Sequence, residues 1–478
     1  MRDKFFYGCL GAVGLAWALG GCQLPKLALK DANRTVPASY VTTSTDSTNA
    51  ARLPWQQFFA DPNLKALIGE ALQNNQELNI ALQEIQVARN EVQMRKGEYL
   101  PFVGLGVRAE AERPGRYTLR GATEEAVNIE PERRTPDPLS NFQVGAVASW
   151  EVDIWHKLRN ARKAAALRYL ATVEGRNFAV TNLVAEIASS YYELLALDNQ
   201  LAIVKQNIEI QSNALELVRL QKQAARVTEL AVQRFEAQVH NTRSIQYGIQ
   251  QRITEAENRL NFLAGRFPQA VARNDAAFDS LVPATVAVGL PPQLLQNRPD
   301  IRQAEQRLLA AGLDVQVARA SFYPSLRLAG AVGLEAFRPR LLLTTPESML
   351  YSLAGDLVAP LVNRNGIKAV YGSANALQAQ AAYQYERTVL NAYVEVSNQL
   401  ANIGNLTRSY NEKALEVQNL NESVAIATNL FRSARAEYTE VLFTQRDALE
   451  SKFDLIETKL QQLHATVQAY RALGGGVR

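Results

Sequence analysis

The sequence contains few of the residues that form disulfide frameworks and soft-metal sites. Its 478 residues include two cysteines, three histidines and three methionines. Two cysteines are too few for a disulfide framework, and the scarcity of histidine and cysteine argues against a metal centre. The three methionines, one of them Met1, provide no methionine-rich path for soft metal ions. We therefore expect no resident metal and no bound cofactor.

An excess of one charge is also lacking. Lys and Arg number 51 and Asp and Glu 47, which gives a net charge of +4, and the two signs are interspersed along the chain. Because nucleic-acid binding needs a basic block or stripe, we expect no nucleic-acid partner. The common catalytic signatures GxSxG, CxxC, HExxH and the phosphate-binding P-loop are absent as well. This absence predicts a protein that is not an enzyme.

The N-terminus has the pattern of a bacterial lipoprotein. Residues 5–19 form an apolar run that is as long as a signal-peptide core and too short to cross a bilayer as a helix. Leu19, two glycines and Cys22 then resemble a lipobox, and Gln23 gives no signal for retention in the inner membrane. We predict a signal peptide at 1–21 and a covalent diacylglycerol and N-acyl lipid on Cys22. The alternative is an ordinary signal peptide with an incidental cysteine.

Proline is missing from two long windows. All 18 prolines lie outside 139–267 and 361–478, each longer than a hundred residues. Because proline breaks helix interiors, its absence permits very long helices. Both windows are rich in good helix formers, and their apolar residues recur at spacings of three and four. We predict long helices near 155–224, 228–264, 366–433 and 437–472.

The chain is predicted to consist of two similar halves. Segments 74–105 and 297–328 align without a gap, and Pro101 matches Pro324. In each half a predicted helix ends at an aromatic residue shortly before the proline. Strand-like sequence follows, and after it comes one of the proline-free windows. This order predicts an internal two-fold repeat.

Alternating apolar and polar residues predict β-strands. The segments lie near 101–113, 140–152, 324–336 and 347–359. Each has the length of a tilted transmembrane strand, although a soluble antiparallel sheet would alternate in the same way. No other segment has the roughly 18 uninterrupted apolar residues of a transmembrane helix, so a membrane span would have to be a β-barrel. The candidate residues of a wet barrel lumen are Arg108, Glu110, Arg327 and Glu335.

Four strands are too few to close a barrel. Outer-membrane barrels have about eight or more strands, and open strand edges are not tolerated in lipid. A barrel built from this chain must therefore be shared between copies. A shared barrel requires at least two copies, and the number of strands alone does not choose three.

Several motifs carry a resemblance to one known family. They are Trp-Gln-Gln-Phe-Phe at 55–59, Asp-Pro-Asn-Leu at 61–64, Tyr-Leu-Pro at 99–101, Ser-Trp-Glu-Val-Asp-Ile-Trp at 149–155, Asn-Arg-Pro-Asp-Ile at 297–301 with Ala-Glu at 304–305, Tyr-Pro-Ser-Leu at 323–326, Ala-Pro-Leu at 359–361 and Tyr-Arg-Ala-Leu-Gly-Gly-Gly at 470–476. With them the chain resembles, over essentially its whole mature length, the outer-membrane efflux protein (TolC-like) family. The lipobox adds a resemblance to the lipoprotein branch (NodT type) of resistance-nodulation-division efflux systems.

The resemblance implies an α+β membrane protein. Each subunit of a homotrimer would give four strands to an outer-membrane β-barrel, which a long periplasmic α-helical barrel would continue. The family's role is that of a passive outer-membrane channel, held among outer-membrane lipids and extending into the periplasm. Its partners would be a periplasmic adaptor (membrane fusion) protein and an inner-membrane resistance-nodulation-division pump. The alternatives are a type I secretion channel and, more remotely, a helical lipoprotein scaffold without a pore.

The resemblance also implies a gate at the periplasmic tip, where each long helix turns into its partner. The candidate gate residues are Thr228, Glu229, Ala231, Arg432, Arg435, Glu440 and Phe443. Glu229 and Glu440 occupy matching positions, and three copies of each would form carboxylate rings that favour cations. Alternatively, the two glutamates have no role in a gate and lie there only because negative charge is favourable at the positive N-terminal end of a helix dipole. Many relatives carry aspartate at the positions of Ala231 and Phe443, so a pore-facing Phe443 would replace charge with an apolar seal.

These features divide the chain into six predicted segments. They are a signal peptide at 1–21, an N-terminal anchor and equatorial segment at 22–75, a first structural repeat at 76–265, an equatorial linker at 266–296, a second repeat at 297–472 and a C-terminal tail at 473–478.

Overall fold

The computed structural model describes residues 27–40, 49–274, 278, 281–284, 286–362, 364–433 and 435–476. Over these ranges the chain is mostly helical and contains one four-stranded sheet. None of the helices in the described ranges has an apolar stretch long enough to cross a membrane. The predicted signal peptide and Cys22 lie outside the described residues.

Each half of the chain contains short helices, two strands and two long helices, and in the first half a further short helix separates the strands. The first half contains α1 (Trp55–Phe58), α2 (Pro62–Asn74), α3 (Gln76–Tyr99), β1 (Phe102–Glu112), α4 (Leu119–Ala126), β2 (Leu139–Val152), α5 (Lys157–Gln223) and α6 (Glu229–Leu263). The second half contains α7 (Leu294–Asn297), α8 (Pro299–Ala320), β3 (Ser325–Ala336), β4 (Met349–Val358), α9 (Asn365–Arg432) and α10 (Tyr438–Ala472). Single 3₁₀ turns occur at Ala50–Arg52, Pro291–Gln293 and Pro339–Leu341.

The four longest helices occupy the two proline-free windows. Helices α5 and α9 have 67 and 68 residues, and α6 and α10 have 35 residues each. A helix of this length is possible because no residue in it lacks the backbone N–H that each turn requires.

The chain divides into two compact units. The sheet unit comprises the described part of Met1–Asp31, with Gln86–Tyr169 and Gln306–Ala382. The helical unit comprises the described parts of Ala32–Ile85, Leu170–Glu305 and Tyr383–Arg478.

In the sheet unit, the strands pair antiparallel in the order β1-β2-β3-β4. Three glycines meet in one row, since Gly145 lies opposite both Gly106 and Gly333. A Cβ atom at Gly145 would lie 2.6 Å from the carbonyl oxygen of Val332, so this close approach requires glycine. Strand β2 then leads into α5 through Asp153, whose carboxylate accepts hydrogen bonds from two backbone N–H groups of the first helical turn.

In the helical unit, the aromatic ring of Tyr470 is a centre of packing. It stacks on Phe58 at a centroid distance of 4.0 Å and meets Phe59 edge-on at 6.1 Å. Its hydroxyl donates to the carbonyl of Leu53 at 2.7 Å and accepts from the backbone N–H of Gly476 at 3.0 Å. The C-terminal glycines therefore fold back onto the N-terminal segment of the same unit.

A buried ion network explains the Asn-Arg-Pro-Asp-Ile motif. The guanidinium of Arg298 donates to both carboxylate oxygens of Asp300 at 3.0 and 2.7 Å, to Glu395 at 2.9 Å and to the carbonyl of Ala472 at 2.6 Å. The Arg298 side chain is only 7% exposed. Burial acts to lower the pKa of Arg298, but hydrogen bonds and charge from Asp300 and Glu395 raise it overall. The motif thus ties the start of α8 to α9 and to the end of α10.

Candidate functional site

The charged residues of the sheet share one face. Side chains alternate between faces along a strand, and residues directly opposite on neighbouring strands share a face. The register aligns Arg108 with Gln143 and Glu335, and Glu151 with Arg327 and Asp356. With this register, every charged residue of the four strands lies on the same face: Arg108, Glu110, Glu112, Glu151, Arg327, Glu335 and Asp356.

Four of these seven charged residues lie near the loop end of the sheet, and each has a polar or charged partner there. Arg108 forms an ion pair with Glu110 at 2.9 Å, with side chains 68% and 44% exposed. Arg120 of α4 reaches Glu112 at 2.8 Å. The amide of Asn141 donates to Glu335 at 2.6 Å. We call this surface the polar face.

A second charged row lies where the strands meet the long helices. Arg327 of β3 stands between Glu151 of β2 and Asp356 of β4 in the register. Lys157, at the start of α5, also pairs with Glu151 at 3.0 Å. Between the two charged ends the polar face carries the glycine row and other small residues. This arrangement gives a wettable surface whose middle has little side-chain bulk.

The opposite face of the sheet is apolar and exposed. Leu105, Val107, Tyr351 and Leu353 are 91%, 80%, 84% and 85% exposed, respectively. Exposed apolar surface of this extent on an isolated chain marks contact with a partner or with lipid. We call this surface the apolar face.

The structure brings the four residues predicted for the lumen, Arg108, Glu110, Arg327 and Glu335, to the polar face. It adds three that the sequence prediction did not include. Glu112 lies two residues after Glu110, and Glu151 lies two residues after Ser149, so each shares a face with a polar neighbour in its strand. This spacing could have predicted both residues. Asp356 lies in the most weakly patterned strand, and only its pairing with Arg327 assigns it to this face.

The first candidate gate turn joins α5 to α6. Ala225 adopts a left-handed conformation (φ 54°), and the N–H of Arg226 donates to the carbonyl of Gln221 at 2.9 Å. Thr228 precedes α6 without a capping hydrogen bond from its side chain, and Glu229 is the first helical residue. Glu229 forms an ion pair with Lys222 across the turn and accepts a hydrogen bond from Gln233 at 3.0 Å.

These contacts set the acidity of Glu229. The hydrogen bond from Gln233, followed by that from Lys222, lowers its pKa below the ordinary value of 4.5. The carboxylate is therefore charged throughout the physiological pH range. It connects the end of α5, through Lys222, to the start of α6, through Gln233.

The second candidate gate turn joins α9 to α10. Arg432 ends α9, and the N–H of Arg435 donates to the carbonyl of Leu430 at 2.8 Å. Glu437 precedes α10, and Glu440 follows in its first turn. Arg432, Arg435 and Glu440 are all exposed. This turn thus carries two exposed arginines and two exposed carboxylates.

Ala231 lies inside the tip and not on its surface. It is fully buried in a cluster that also contains Val218, Val232 and Phe235. Phe431, Tyr438 and Leu442 of the second helix pair pack against the same cluster. Ala231 therefore contributes to the packing of the two helix pairs, and its side chain does not line the exposed surface of the subunit. The rule that i and i+4 share a helix face links Ala231 to Phe235 and could have predicted this burial.

Phe443 is an exposed aromatic residue in the second turn of α10. Its side chain is 54% exposed, and the guanidinium of Arg446 lies 5.2 Å from the ring centroid. Arg446 also pairs with Asp447 at 2.9 Å. Arg446 was not among the residues predicted from the sequence, although its spacing of three residues from Phe443 places both on one helix face.

A comparison with known families decides the identity. The sequence profile of the family described as "Outer membrane efflux protein" matches residues 67–266 and 290–475. The chain belongs to the outer membrane efflux protein family.

Relatives in this family match the chain over nearly its whole length. "Pyoverdine export outer membrane protein OpmQ" of Pseudomonas aeruginosa is 28% identical over 471 residues, which cover 98% of this chain and 96% of that protein. "Cation efflux system protein CusC" of Escherichia coli is 28% identical over 473 residues, which cover 97% and 98%. A crystal structure of CusC superposes with a TM-score of 0.80 at 25% identity, covering 94% of this chain and 99% of that one.

Outer membrane efflux proteins are channels and not enzymes. This member is accordingly an outer-membrane channel component of a tripartite efflux system, and it extends into the periplasm. Its partners in that system are an adaptor and an inner-membrane pump. Among the residues that the structure describes, no group of three or more His, Cys, Asp and Glu side chains is placed to hold a metal ion.

Proposed function

We propose that the chain is one subunit of a homotrimeric duct that passively conducts substrates from the periplasm to the exterior. Three copies of the sheet would close a twelve-stranded barrel in the outer membrane, and the long helices would continue it as a periplasmic α-helical barrel. The observation that carries this proposal is the division of the sheet into a polar face with all the strand charges and an exposed apolar face. A transmembrane barrel has these two faces, one toward the lumen and one toward lipid.

The strand edges support sharing of the barrel. Strands β1 and β4 are the two edges of the four-stranded sheet. In lipid, each unpaired backbone N–H or C=O costs several kcal/mol, so β4 of one copy would pair with β1 of the next. The choice of three copies rests on the resemblance to the family.

An internal two-fold repeat is part of the proposal. Helix, strand, strand and two long helices occur in the same order twice, as α3-β1-β2-α5-α6 and α8-β3-β4-α9-α10. Helix lengths of 67 and 68 residues, followed by 35 and 35, support a common origin of the two halves. The segment boundaries predicted from the sequence remain predictions.

We further propose that Cys22 carries the lipid anchor. The lipobox that ends at Cys22 supports this assignment. Several acyl chains on one residue give stable membrane attachment, whereas one chain does not.

Labelling of substituted cysteines tests the two faces of the barrel. In intact cells, a membrane-impermeant maleimide should reach Glu335→Cys, because the polar face would be open to water. It should not reach Leu353→Cys, because the apolar face would lie in lipid. Glu335 and Leu353 lie on the adjacent strands β3 and β4, on opposite faces of the sheet. Equal labelling of both positions would contradict the barrel.

The two turns of the helical unit are proposed as the periplasmic gate. Exposed charges support this assignment: Glu229 in the first turn, and Arg432, Arg435 and Glu440 in the second. Three copies would place these groups around one axis, where like charges resist close approach. Thr228, which directly precedes α6, would lie at the entry to the gate.

Phe443 is proposed as an apolar element of the gate. Its exposure and its contact with Arg446 support a position at the surface of the tip. Phe443→Ala should increase the conductance of the open pore, because it removes bulk from an apolar constriction. Tyr247→Ala, at an exposed aromatic residue on α6, is the control. Unchanged single-channel conductance in the Phe443 variant would refute its role.

The duct is proposed to be permissive, with the pump choosing the substrate. OpmQ is named for pyoverdine export and CusC for cation efflux, yet each is 28% identical to this chain. Proteins of one family, equally distant from this chain, thus carry names for different substrates. The shared fold would therefore provide the path, and the partners would provide the selection.

A further inference from the structure

The sheet unit contains a groove that the proposed transport path does not use. It encloses about 480 Å³, within the range of roughly 300–1,000 Å³ that is typical of small-molecule sites. The larger apolar and aromatic side chains in its lining are those of Leu27, Leu29, Trp155, Val315, Tyr323 and Tyr371. We call this feature the rim groove.

The aromatic wall of the rim groove is held in place. The indole N–H of Trp155 donates to the carbonyl of Pro324 at 2.7 Å, and its ring stacks on Tyr323 at a centroid distance of 4.6 Å. Tyr371 is only 5% exposed and meets Phe322 edge-on at 5.7 Å. This wall is therefore preorganised, which reduces the entropy lost when an apolar ligand binds.

The other wall is the first described segment of the chain. The amide of Asn375 donates to the carbonyl of Ala28 at 3.1 Å. The amide of Gln378 accepts from the N–H of Lys30 at 2.9 Å and donates to its carbonyl at 2.8 Å. These bonds fix the backbone on either side of Leu29, while Leu27 and Leu29 keep 41% and 45% of their surface exposed. Two leucines thus line a groove that nothing in the described chain fills.

The groove lies where the strands meet the helices. Trp155 follows β2 immediately before α5, and Tyr323 lies between α8 and β3. Aromatic residues at strand ends are typical of the membrane–water interface. In the proposed orientation, this end of the sheet is the periplasmic boundary of the outer membrane.

We propose that the rim groove seats an acyl chain of the lipid on Cys22, an inference that rests on the proposed lipidation of that residue. Leu27 follows Cys22 by five residues, and five residues reach at most roughly 17 Å. The anchor must therefore enter the membrane close to the groove. Arg319 and His156 also line it, and they can face the ester and amide carbonyls of the lipidated cysteine. Bound in this way, the lipid holds the N-terminal segment against the barrel and does not move freely in the bilayer.

Photocrosslinking in the full-length, membrane-embedded protein tests this site. Cells supplied with an alkyne-bearing palmitate would express Tyr323→p-benzoylphenylalanine, and the matched control would carry the same photoreactive residue in place of Tyr351 on the apolar face. After irradiation and digestion, mass spectrometry identifies what each position has captured. We expect position 323 to be joined to the lipidated Cys22 peptide. Position 351 should capture only phospholipid.

A second variant tests the wall formed by the leucines. Leu27→Asp combined with Leu29→Asp should abolish the crosslink from position 323 to the Cys22 lipid, while the heat-modifiable mobility of the folded protein stays unchanged. Capture of phospholipid alone at position 323, with Cys22 labelled, would overturn the rim groove as an anchor site. A Cys22 peptide without alkyne label or acyl mass would instead overturn the lipidation on which the inference depends.

Discussion

Replacement of Arg298 by methionine should loosen the junction between α8, α9 and the end of α10. The substitution removes four hydrogen bonds from a side chain that is 7% exposed and leaves the carboxylates of Asp300 and Glu395 without that partner. Breaking a buried ion pair from one side costs about 3–5 kcal/mol. Asp300 and Glu395 remain 16% and 27% exposed, and Arg471 still pairs with Glu395. Water and Arg471 compensate in part for the lost partner. We therefore expect the stability of the junction to fall by about 3 kcal/mol, the lower end of this range.

Native-state hydrogen exchange measures this loss locally. A decrease of about 3 kcal/mol in the free energy of opening speeds exchange by about a hundredfold, and it should appear in peptides that contain the end of α10 and in those that contain Arg298. Arg298→Lys should give an intermediate result, because lysine keeps the charge but loses the two-pronged contact with Asp300. The control is Arg259→Met, whose pair with Glu186 is 57% and 44% exposed and should contribute only ~0–1 kcal/mol.

The double variant of Arg298→Met with Asp300→Asn provides a further check. Removal of the Asp300 charge should recover part of the lost protection, because Asp300 loses its ion pair with Arg298 in the single variant, whereas Glu395 keeps its pair with Arg471. Exchange in Arg298→Met that matches the Arg259→Met control would refute the view that this network secures the junction.

Two other perturbations test the tip and the sheet. Glu229→Gln should speed exchange in the turn after α5, because the Gln233 and Lys222 contacts lose their carboxylate. Since the pKa of Glu229 is lowered, the contribution of its charge is lost only as pH falls through that lowered value; wild-type exchange, corrected for its intrinsic pH dependence, should therefore not change between neutral pH and about pH 5. Gly145→Ala should reduce the yield of heat-modifiable folded protein, because its Cβ would lie 2.6 Å from a carbonyl oxygen of β3, whereas Gly106→Ala in the same row meets open space. Equal yields from the two glycine variants would contradict the proposed close approach.

The long helices were accessible to sequence reasoning because their signal is local. Absence of proline and spacing at three and four predicted helices near 155–224 and 366–433, and the structure has α5 at Lys157–Gln223 and α9 at Asn365–Arg432. The two faces of the sheet were accessible for a similar reason, since alternation within a strand assigns each side chain to a face.

The features that sequence reasoning missed depend on contacts between distant segments. Asp356 joins the polar face only through the register that pairs β4 with Arg327. The sequence predicts Ala231 as a candidate gate residue, but its burial depends on packing against both helix pairs of the tip. The network around Arg298 joins residues that are far apart along the chain, and no periodicity indicates such a contact.

The most direct test of the central claim is the mass of the detergent-solubilised protein, measured together with its planar-bilayer conductance. We expect a trimer that inserts into the bilayer and gives small single-channel currents, which increase in Phe443→Ala. A monomer that carries no current would contradict the shared barrel and leave the chain as a helical lipoprotein scaffold.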